Sequence, residues 1–314
     1  MNAAVFSSLF PVVFFISLGY ASVRLGWVGR QSVRDISNIV FLVLSPALLF
    51  RTMSTVHPED LDFGPVLVYF IAALAIFTVV ILAHGFNRAG AVMALAGTFS
   101  NTVMIGVPLV GLAFGKAGLT MLFTLVSVHS LILLTLVTVV LELATAREAA
   151  RRGEAQRGIA VTVLKAVRNG ILHPVPLPIV AGMLFAQTGW TLPPVLDQSL
   201  QMLGVGLGPM ALLVVGITLA FTPIGTHLRG ALGLSAIKTV LHPLAVLALG
   251  WAMGLSGLPL GVMVVTAALP IGANVFLFSQ RYAAAEEVVT ASVAVSTIAG
   301  LVTVPLALAI ATRV

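Results

Sequence analysis

The amino-acid sequence predicts an all-α integral membrane protein with ten transmembrane helices, arranged as two inverted repeats of five helices each. Three observations predict this fold class. The chain is strongly apolar, two of its apolar segments are interrupted in the same way about half a chain apart, and most basic residues fall on one side of the membrane. Broken hydrophobic segments at matching places in two halves are typical of a secondary transporter.

The composition excludes an ordinary soluble domain. Of the 314 residues, 59% are hydrophobic and 8% are charged, and the mean hydropathy is +1.13. The formal charge of +6 does not indicate a nucleic-acid partner, because the basic residues lie between apolar segments rather than on one solvated face. The absence of cysteine excludes disulfides and thiolate chemistry.

Ten apolar segments are long enough, at about 20 residues, to cross a membrane. The first has no basic leader, so we expect a span there rather than a cleavable signal peptide. The predicted spans are 5–23, 36–55, 64–84, 91–112, 117–141, 170–188, 198–221, 230–254, 258–280 and 287–312. We expect a first repeat over 1–141, a linker over 142–169 that could form an amphipathic surface helix, and a second repeat over 170–314.

Two of these spans are interrupted. The segments 97–111 and 267–276 each contain a proline, Pro108 and Pro270, with Gly and Asn close by. A second pair of prolines, Pro46 and Pro209, is separated by almost the same number of residues as Pro108 and Pro270. Two features that repeat at one interval indicate an internal duplication of the chain. A broken helix leaves backbone N–H and C=O groups unpaired, which a membrane tolerates only where they line a cavity or meet a ligand.

The basic residues predict the orientation. With the N-terminus outside, twelve basic residues face the cytoplasm and three face outward, which places both termini outside and the linker in the cytoplasm. The cytoplasmic set is Arg24, Arg30, Arg34, Arg88, Arg147, Arg151, Arg152, Arg157, Lys165, Arg168, Arg229 and Arg281, and the outer set is Arg51, Lys116 and Arg313. With five spans per half, the second half starts on the opposite side, so the repeats are inverted.

Three motifs resemble the auxin efflux carrier family, within the superfamily of bile-acid and arsenite transporters. SNTVMIGVPL at 100–109 resembles the family's fourth-helix motif, LSPALLF at 44–50 its second helix, and LPIGANVFLFSQRY at 269–282 its ninth. The family includes plant auxin exporters and bacterial carriers assigned to malonate and related organic acids. The short central loop makes this chain more similar to the bacterial branch.

The resemblance implies a ten-helix fold in which discontinuous helices four and nine cross where their prolines break them. Helices 1, 2, 6 and 7 would form a scaffold, helices 3–5 and 8–10 a transport domain, and substrate would bind beside the crossing. We therefore expect a small organic anion, such as a malonate-like dicarboxylate or an auxin-like carboxylate, to move by alternating access of an elevator or rocking type. We also expect a homodimer in the lipid bilayer of the bacterial plasma membrane.

The candidate substrate-binding residues lie around the two interruptions: Ser100, Asn101, Thr102, Pro108, Pro270, Gly272 and Asn274. Amide side chains can donate to a carboxylate without carrying charge. Half-helix N-termini add N–H donors and a favourable dipole for an anion. The alternative is that the Ser, Thr and Asn side chains only bond one helix to another.

Lys238 is a basic residue well inside a span, nine residues after Arg229. A cation at that depth, about 13 Å from the border, needs a partner, a water cavity or a lowered pKa. Lys238 could attract the anion or replace the ion of a sodium-coupled relative, with His242 on the same helix face. Alternatively, it donates to backbone carbonyls freed by the broken ninth helix.

Ser127, His129 and Ser296 are weaker candidates, on polar stripes of the fifth and tenth spans. No Asp or Glu lies well inside a span, which favours H⁺ over Na⁺ if transport is coupled to an ion, although carbonyl, Ser and Thr oxygens could still coordinate Na⁺. We expect no cofactor and no metal site.

Two other classes of protein are the alternatives. An intramembrane protease would use Ser256 in GLSG, but a base on a later helix is required and the last histidine is His242. No HExxH motif and no intramembrane aspartate pair occur, so we expect no enzymatic activity. An organic-anion channel or a uniporter without ion coupling stays open as the second alternative.

Overall fold

A computed structural model describes residues 3–57, 61–151, 164, 175–222, 225 and 227–311. In this part of the chain every regular element is a helix. The helices are α1 (Ala3–Arg24), α2 (Arg30–Met53), α3 (Gly64–His84), α4 (Arg88–Thr98), α5 (Val107–Arg151), α6 (Pro176–Gln187), α7 (Pro194–Phe221), α8 (Leu228–Ala252), α9 (Gly257–Ala268), α10 (Asn274–Arg281) and α11 (Glu286–Ala311).

Within the described residues, six helical segments are long and apolar enough to cross a membrane. They are α2, α3, Thr102–Glu148 (which includes most of α5), α7, α8 and α11. Shorter apolar helices occur at Phe10–Arg24, in α6 and in α9. In lipid, where no water can bond to the chain, a helix pairs the backbone N–H and C=O groups of its own segment, which accounts for the helical fold.

Three prolines are each preceded by one turn of π-helix. These turns are Val40–Leu44 in α2, Thr102–Gly106 before α5 and Ile237–Leu241 in α8. Pro46, Pro108 and Pro243 follow them within two residues. A proline has no N–H to donate and its ring crowds the carbonyl four residues earlier, so the preceding turn widens into i→i+5 bonding.

The fourth predicted span is interrupted, but not at its proline. Helix α4 ends at Thr98 and the π turn begins at Thr102, whereas Pro108 is the second residue of α5. Pro108 is accommodated because the turn before it is π-helical, with the N–H of Val107 bonded to the carbonyl of Thr102, so the helix continues past the proline. The expectation that Pro108 breaks its helix is therefore wrong, whereas Pro270 does lie in the gap between α9 and α10.

The fifth predicted span ends later than expected. We predicted its end at residue 141, but α5 continues to Arg151, after a non-helical residue at Gly115 (φ 63°, ψ −152°). The start of the predicted linker is thus a continuation of a membrane helix. The remainder of the linker and the start of the sixth predicted span lie outside the described residues, apart from residue 164.

The helices pack most extensively within two groups. The first group is formed by α1, α2, α6 and α7, in which α1 packs on α7, and α2 packs on α6 and α7. The second group is formed by α3, α4, α5 and α8–α11. In it α8 packs on α11, α3 packs on α4, and α9 packs on α8 and α11. Helices α1 and α7 touch through their backbones, since a Cβ on Gly216 would overlap the carbonyl oxygen of Ile16. Small residues allow such an approach between membrane helices.

Candidate functional site

The two helix interruptions lie against each other. The N–H of Asn101 donates to the carbonyl of Pro270 at 2.9 Å, and the N–H of Gly272 donates to the carbonyl of Phe99 at 2.9 Å. Ser100 and Ile271 form an antiparallel bridge between the two segments. Backbone groups that each interruption would leave unpaired in the membrane thus find partners in the other.

Three small residues hold this crossing together. A Cβ on Gly272 would lie 2.7 Å from the Phe99 ring, so the close approach requires glycine. The Ser100 hydroxyl donates to the carbonyl of Thr266 at 2.8 Å, and the Ser296 hydroxyl accepts the N–H of Ile271 at 3.1 Å. Ser100 and Ser296 are buried, so these contacts bond the interrupted segments to each other and to α11.

A cavity of about 860 Å³ lies beside the crossing. Two of the seven predicted substrate-binding residues, Asn101 and Asn274, line it. Ser100, Thr102, Pro108, Pro270 and Gly272 do not line it. Within the part of the chain that the structure describes, its polar lining residues include no Asp or Glu; they are Arg30, Arg34, Ser37, Asn38, Asn101, Thr218, Thr222, Asn274, Thr290 and Thr297.

Asn101 and Asn274 each lie at the start of a half-helix. Asn101 precedes the π turn and Asn274 is the first residue of α10. Both are half-buried, and neither amide side chain has a hydrogen bond to another described residue. Free amide donors beside two positive helix ends form a suitable environment for an anion.

A second cavity, of about 460 Å³, lies on the opposite side of the crossing. Its lining includes Pro108 and Arg51, at the end of α2 away from Arg30. Arg51 is paired with Asp197 of α7 by two bonds of 2.7 and 2.9 Å. The π turn and the first residues of α5 separate this cavity from the larger one, which contacts Asn101 and Met104.

Lys238 is fully buried and lines neither of these cavities. Its Nζ donates to the carbonyl of Ala267, in the last turn of α9. In a continuous helix that carbonyl would accept the N–H of Ile271, which bonds to Ser296 instead. The contact matches the alternative in which Lys238 satisfies a carbonyl freed by the broken ninth helix.

A network of buried polar side chains joins the helices around Ser100. The Ser100 hydroxyl gives its single proton to Thr266, so the Tyr69 hydroxyl donates to Ser100 at 2.9 Å and accepts from His129 Nε2 at 3.3 Å. The ring of His242 lies 5.0 Å from that of Tyr69, centroid to centroid. Neither nitrogen of His242 nor His129 Nδ1 has a partner among the described residues.

Ser127 lies apart from this network, since its hydroxyl donates to the carbonyl of Thr124 within its own helix. Sequence reasoning missed Tyr69, although a lone tyrosine in an apolar span signals a hydrogen-bonded hydroxyl. It also missed that Arg30 and Arg34 line the larger cavity, since the charge pattern assigns them only to the cytoplasmic border. Their positions on one face of α2, four residues apart, would have shown that both could line one cavity.

Polar contacts join the start of α4, the last turns of α5 and the residue after α10. Arg88 pairs with Glu148 at 2.9 Å and donates to the carbonyl of Tyr282 at 3.2 Å. The Tyr282 hydroxyl donates to Glu142 at 3.0 Å. Burial and the Glu142 carboxylate raise the pKa of Tyr282 to about 12, so this hydroxyl stays protonated and available as a donor at neutral pH.

Comparison with known proteins identifies the family. The sequence model described as "Membrane transport protein" matches residues 4–308. The chain belongs to this family of membrane transport proteins. The resemblance to auxin efflux carriers is thereby confirmed. The molecule is a multi-pass membrane transporter rather than an enzyme.

Two relatives of this transporter match over almost their whole length. A protein of Rhizobium meliloti (strain 1021) named "Putative malonate transporter" is 27% identical over 302 residues, covering 94% of this chain and 92% of the relative. "Auxin efflux carrier component 8" of Arabidopsis thaliana is 23% identical over 338 residues, covering 92% of each chain.

Proposed function

We propose that this transporter moves a small organic anion across the membrane by alternating access, and that the anion binds beside the crossing of the two interrupted helices. One observation carries the proposal. The free amides of Asn101 and Asn274 lie at two half-helix starts and face a cavity whose described lining residues include arginines but no carboxylate. An anion gains hydrogen bonds and helix-dipole attraction there, whereas a cation would be repelled.

The substrate class follows from the same chemistry. The relatives are named for malonate and for auxin, and both compounds carry carboxylates. A carboxylate accepts hydrogen bonds from amide N–H groups and from the open backbone of a half-helix start. The proposed substrate is therefore a malonate-like dicarboxylate or an auxin-like carboxylate.

The two helix groups support an elevator or rocking movement. The first group (α1, α2, α6 and α7) corresponds to the proposed scaffold, and the second to the proposed transport domain. The interhelical bonds described above join helices of one group, as Arg51–Asp197 does within the first and Lys238–Ala267 within the second. The surface between the groups includes an apolar crevice lined by Val12, Ile105 and Leu301, which offers little resistance to sliding.

The positions of the two cavities support alternating access. Both border the segment from Asn101 to Pro108, one from each side. A movement of that segment relative to α7 would open one cavity towards the substrate site and close the other. A channel would instead need one continuous pathway through the molecule. An organic-anion channel or a uniporter without ion coupling is the alternative that the transport assay must exclude.

The helix order supports ten membrane passages in two inverted halves. In the proposed count, α4 with the first part of α5, and α9 with α10, each form one interrupted passage. The interval in the sequence between the starts of α2 and α7 equals the interval between the starts of α3 and α8. With the twelve-to-three basic asymmetry, the proposed topology places both termini outside a plasma membrane and the linker in the cytoplasm.

Transport into proteoliposomes tests the proposal. Labelled malonate and a labelled auxin are each offered; uptake of at least one should saturate, and the same unlabelled compound inside should accelerate it by counterflow. A pH gradient should drive uptake and a sodium gradient should not, because none of the described residues that line the cavity carries a carboxylate to coordinate Na⁺. Conductance without saturation or counterflow would favour a channel, and transport of a cation would contradict the proposed site.

A further inference from the structure

One face of α2 carries polar side chains along the wall of the larger cavity. Arg30, Arg34, Ser37, Asn38 and Phe41 all line it, at the spacing that places helical residues on one side. With a rise of 1.5 Å per residue, Arg34 lies about 10 Å along the helix from Phe41. The cavity lined by Asn101 and Asn274 is therefore also lined by two arginines of α2.

The two arginines differ in what they contact. Arg30 donates to the carbonyl of Phe221 at 3.0 Å, and its guanidinium lies 5.7 Å from the centroid of the Phe221 ring. Arg34 is exposed and has no hydrogen bond or ion pair with any described residue. Arg30 is thus held by α7, whereas the five N–H donors of Arg34 are free to bind a ligand.

The chemistry of a free guanidinium in this cavity points to a second negative charge on the ligand. Arginine binds carboxylates through two parallel N–H bonds. No Asp or Glu among the residues lining the cavity competes for these donors. A second carboxylate that entered a membrane cavity without a partner would lose hydrogen bonds to water and gain none from the protein, at a cost in binding free energy. A monocarboxylate bound by the asparagines would leave Arg34 solvated and gain nothing from it.

We propose that Arg34 binds the second carboxylate of a dicarboxylate substrate, while the first occupies the site at Asn101 and Asn274. Arg34 is then the residue that makes this transporter select short dicarboxylates over monocarboxylates, including auxin-like acids. The inference rests on the proposed function, which requires only that an organic anion binds at the crossing. It adds the charge of that anion and the side chain that recognises it.

Matched ligands measure the contribution of the second charge. Malonate and its monoamide, malonamate, have nearly the same shape, but the monoamide carries one carboxylate. The dissociation constants of both for purified protein, by calorimetry, give a selectivity ratio. We expect wild-type protein to bind malonate at least about 10-fold more tightly, the effect of one charge-assisted contact. Equal binding of the two would overturn the role of Arg34 and leave the proposed function standing.

Variants assign the selectivity to Arg34. Arg34→Gln should weaken malonate binding about 10- to 100-fold and malonamate binding less than about 3-fold, while Arg34→Lys should keep part of the preference. Arg229→Gln removes the same charge from an exposed residue that does not line the cavity, and should leave both affinities unchanged. Equal weakening of both ligands by Arg34→Gln would contradict the inference. Failure of any organic anion to bind wild-type protein would contradict the proposed function as well.

Discussion

The N–H of Asn101 donates to the carbonyl of Pro270 across a distance of 2.9 Å, joining two segments that lie in opposite halves of the sequence. This bond leaves the side chain of Asn101 free to face the larger cavity. One residue therefore holds the crossing with its backbone, while its side chain lines the cavity. The two roles can be separated by mutation, because a side-chain substitution leaves the backbone donor in place.

Asn101→Ala and Asn274→Ala should each weaken binding of the organic anion by about 1–3 kcal/mol, the cost of losing a hydrogen bond to a charged group. The measurement is the dissociation constant for malonate by calorimetry. Asn87→Ala is the control, because Asn87 caps α4 through the N–H of Gly90, outside the cavity. That variant should lower stability by about 1 kcal/mol and leave affinity unchanged. Unchanged affinity in both cavity variants would remove these amides from the site.

Gly272→Ala should disrupt the crossing. The added methyl would lie 2.7 Å from the Phe99 ring and 3.1 Å from the carbonyl oxygen of Ser100, so the segments must separate, at a cost of about 1–3 kcal/mol. We expect a lower melting temperature in detergent and a strong loss of transport. Gly233→Ala is the matched control, since nothing lies within 4 Å of its added methyl. If both variants behave like wild-type protein, the close approach at Gly272 is not required.

Lys238→Ala should impair transport rather than simply lower affinity. It leaves the carbonyl of Ala267 without its donor, which costs about 1–3 kcal/mol of stability, and it removes a basic group from the apolar interior. We expect a lower melting temperature, slower transport and an altered pH dependence. Lys238→Arg keeps the charge but cannot readily deprotonate, so it should bind substrate and fail to turn over if Lys238 changes protonation during the cycle. Normal transport by Lys238→Ala with an unchanged pH profile would make the lysine purely structural.

A disulfide between residues 108 and 208 should stop transport by joining the two helix groups. A Cβ on Gly208 would lie 3.5 Å from the Cβ of Pro108, within the range of about 3.5–4.5 Å that a disulfide spans. The native chain has no cysteine, so Pro108→Cys with Gly208→Cys introduces a single pair. Oxidation should abolish uptake in the double variant and reduction should restore it, while each single variant stays insensitive. Full transport by the cross-linked protein would contradict movement between the groups.

Single cysteines in the cysteine-free chain should report the topology. Ser256→Cys lies between α8 and α9, on the side that the basic residues assign to the exterior, and should react with an impermeant maleimide in intact cells. Ala155→Cys in the linker should react only after the membrane is permeabilised. Labelling of Ala155→Cys from outside would reverse the proposed orientation.

The sequence alone was sufficient for the membrane class, the family and two residues that line the larger cavity. The hydropathy pattern is local, since each span must satisfy its own backbone in lipid. Asn101 and Asn274 were identifiable because polar amides beside proline interrupt apolar segments. The effect of Pro108 was mispredicted, since a π turn before a proline lets the helix continue past it, and the sequence does not show where such a turn forms.

Contacts between distant segments decided the rest. Ser100, Ser296 and Gly272 were predicted as substrate-site candidates, yet their contacts hold the crossing together. Ser100 bonds to the carbonyl of Thr266, Ser296 accepts the N–H of Ile271, and Gly272 lies against the Phe99 ring. Lys238 meets a carbonyl on another helix, that of Ala267. Arg34 faces the cavity because α2 packs beside α7. Which donor meets which acceptor depends on how helices pack in three dimensions, and only the tertiary structure contains that information.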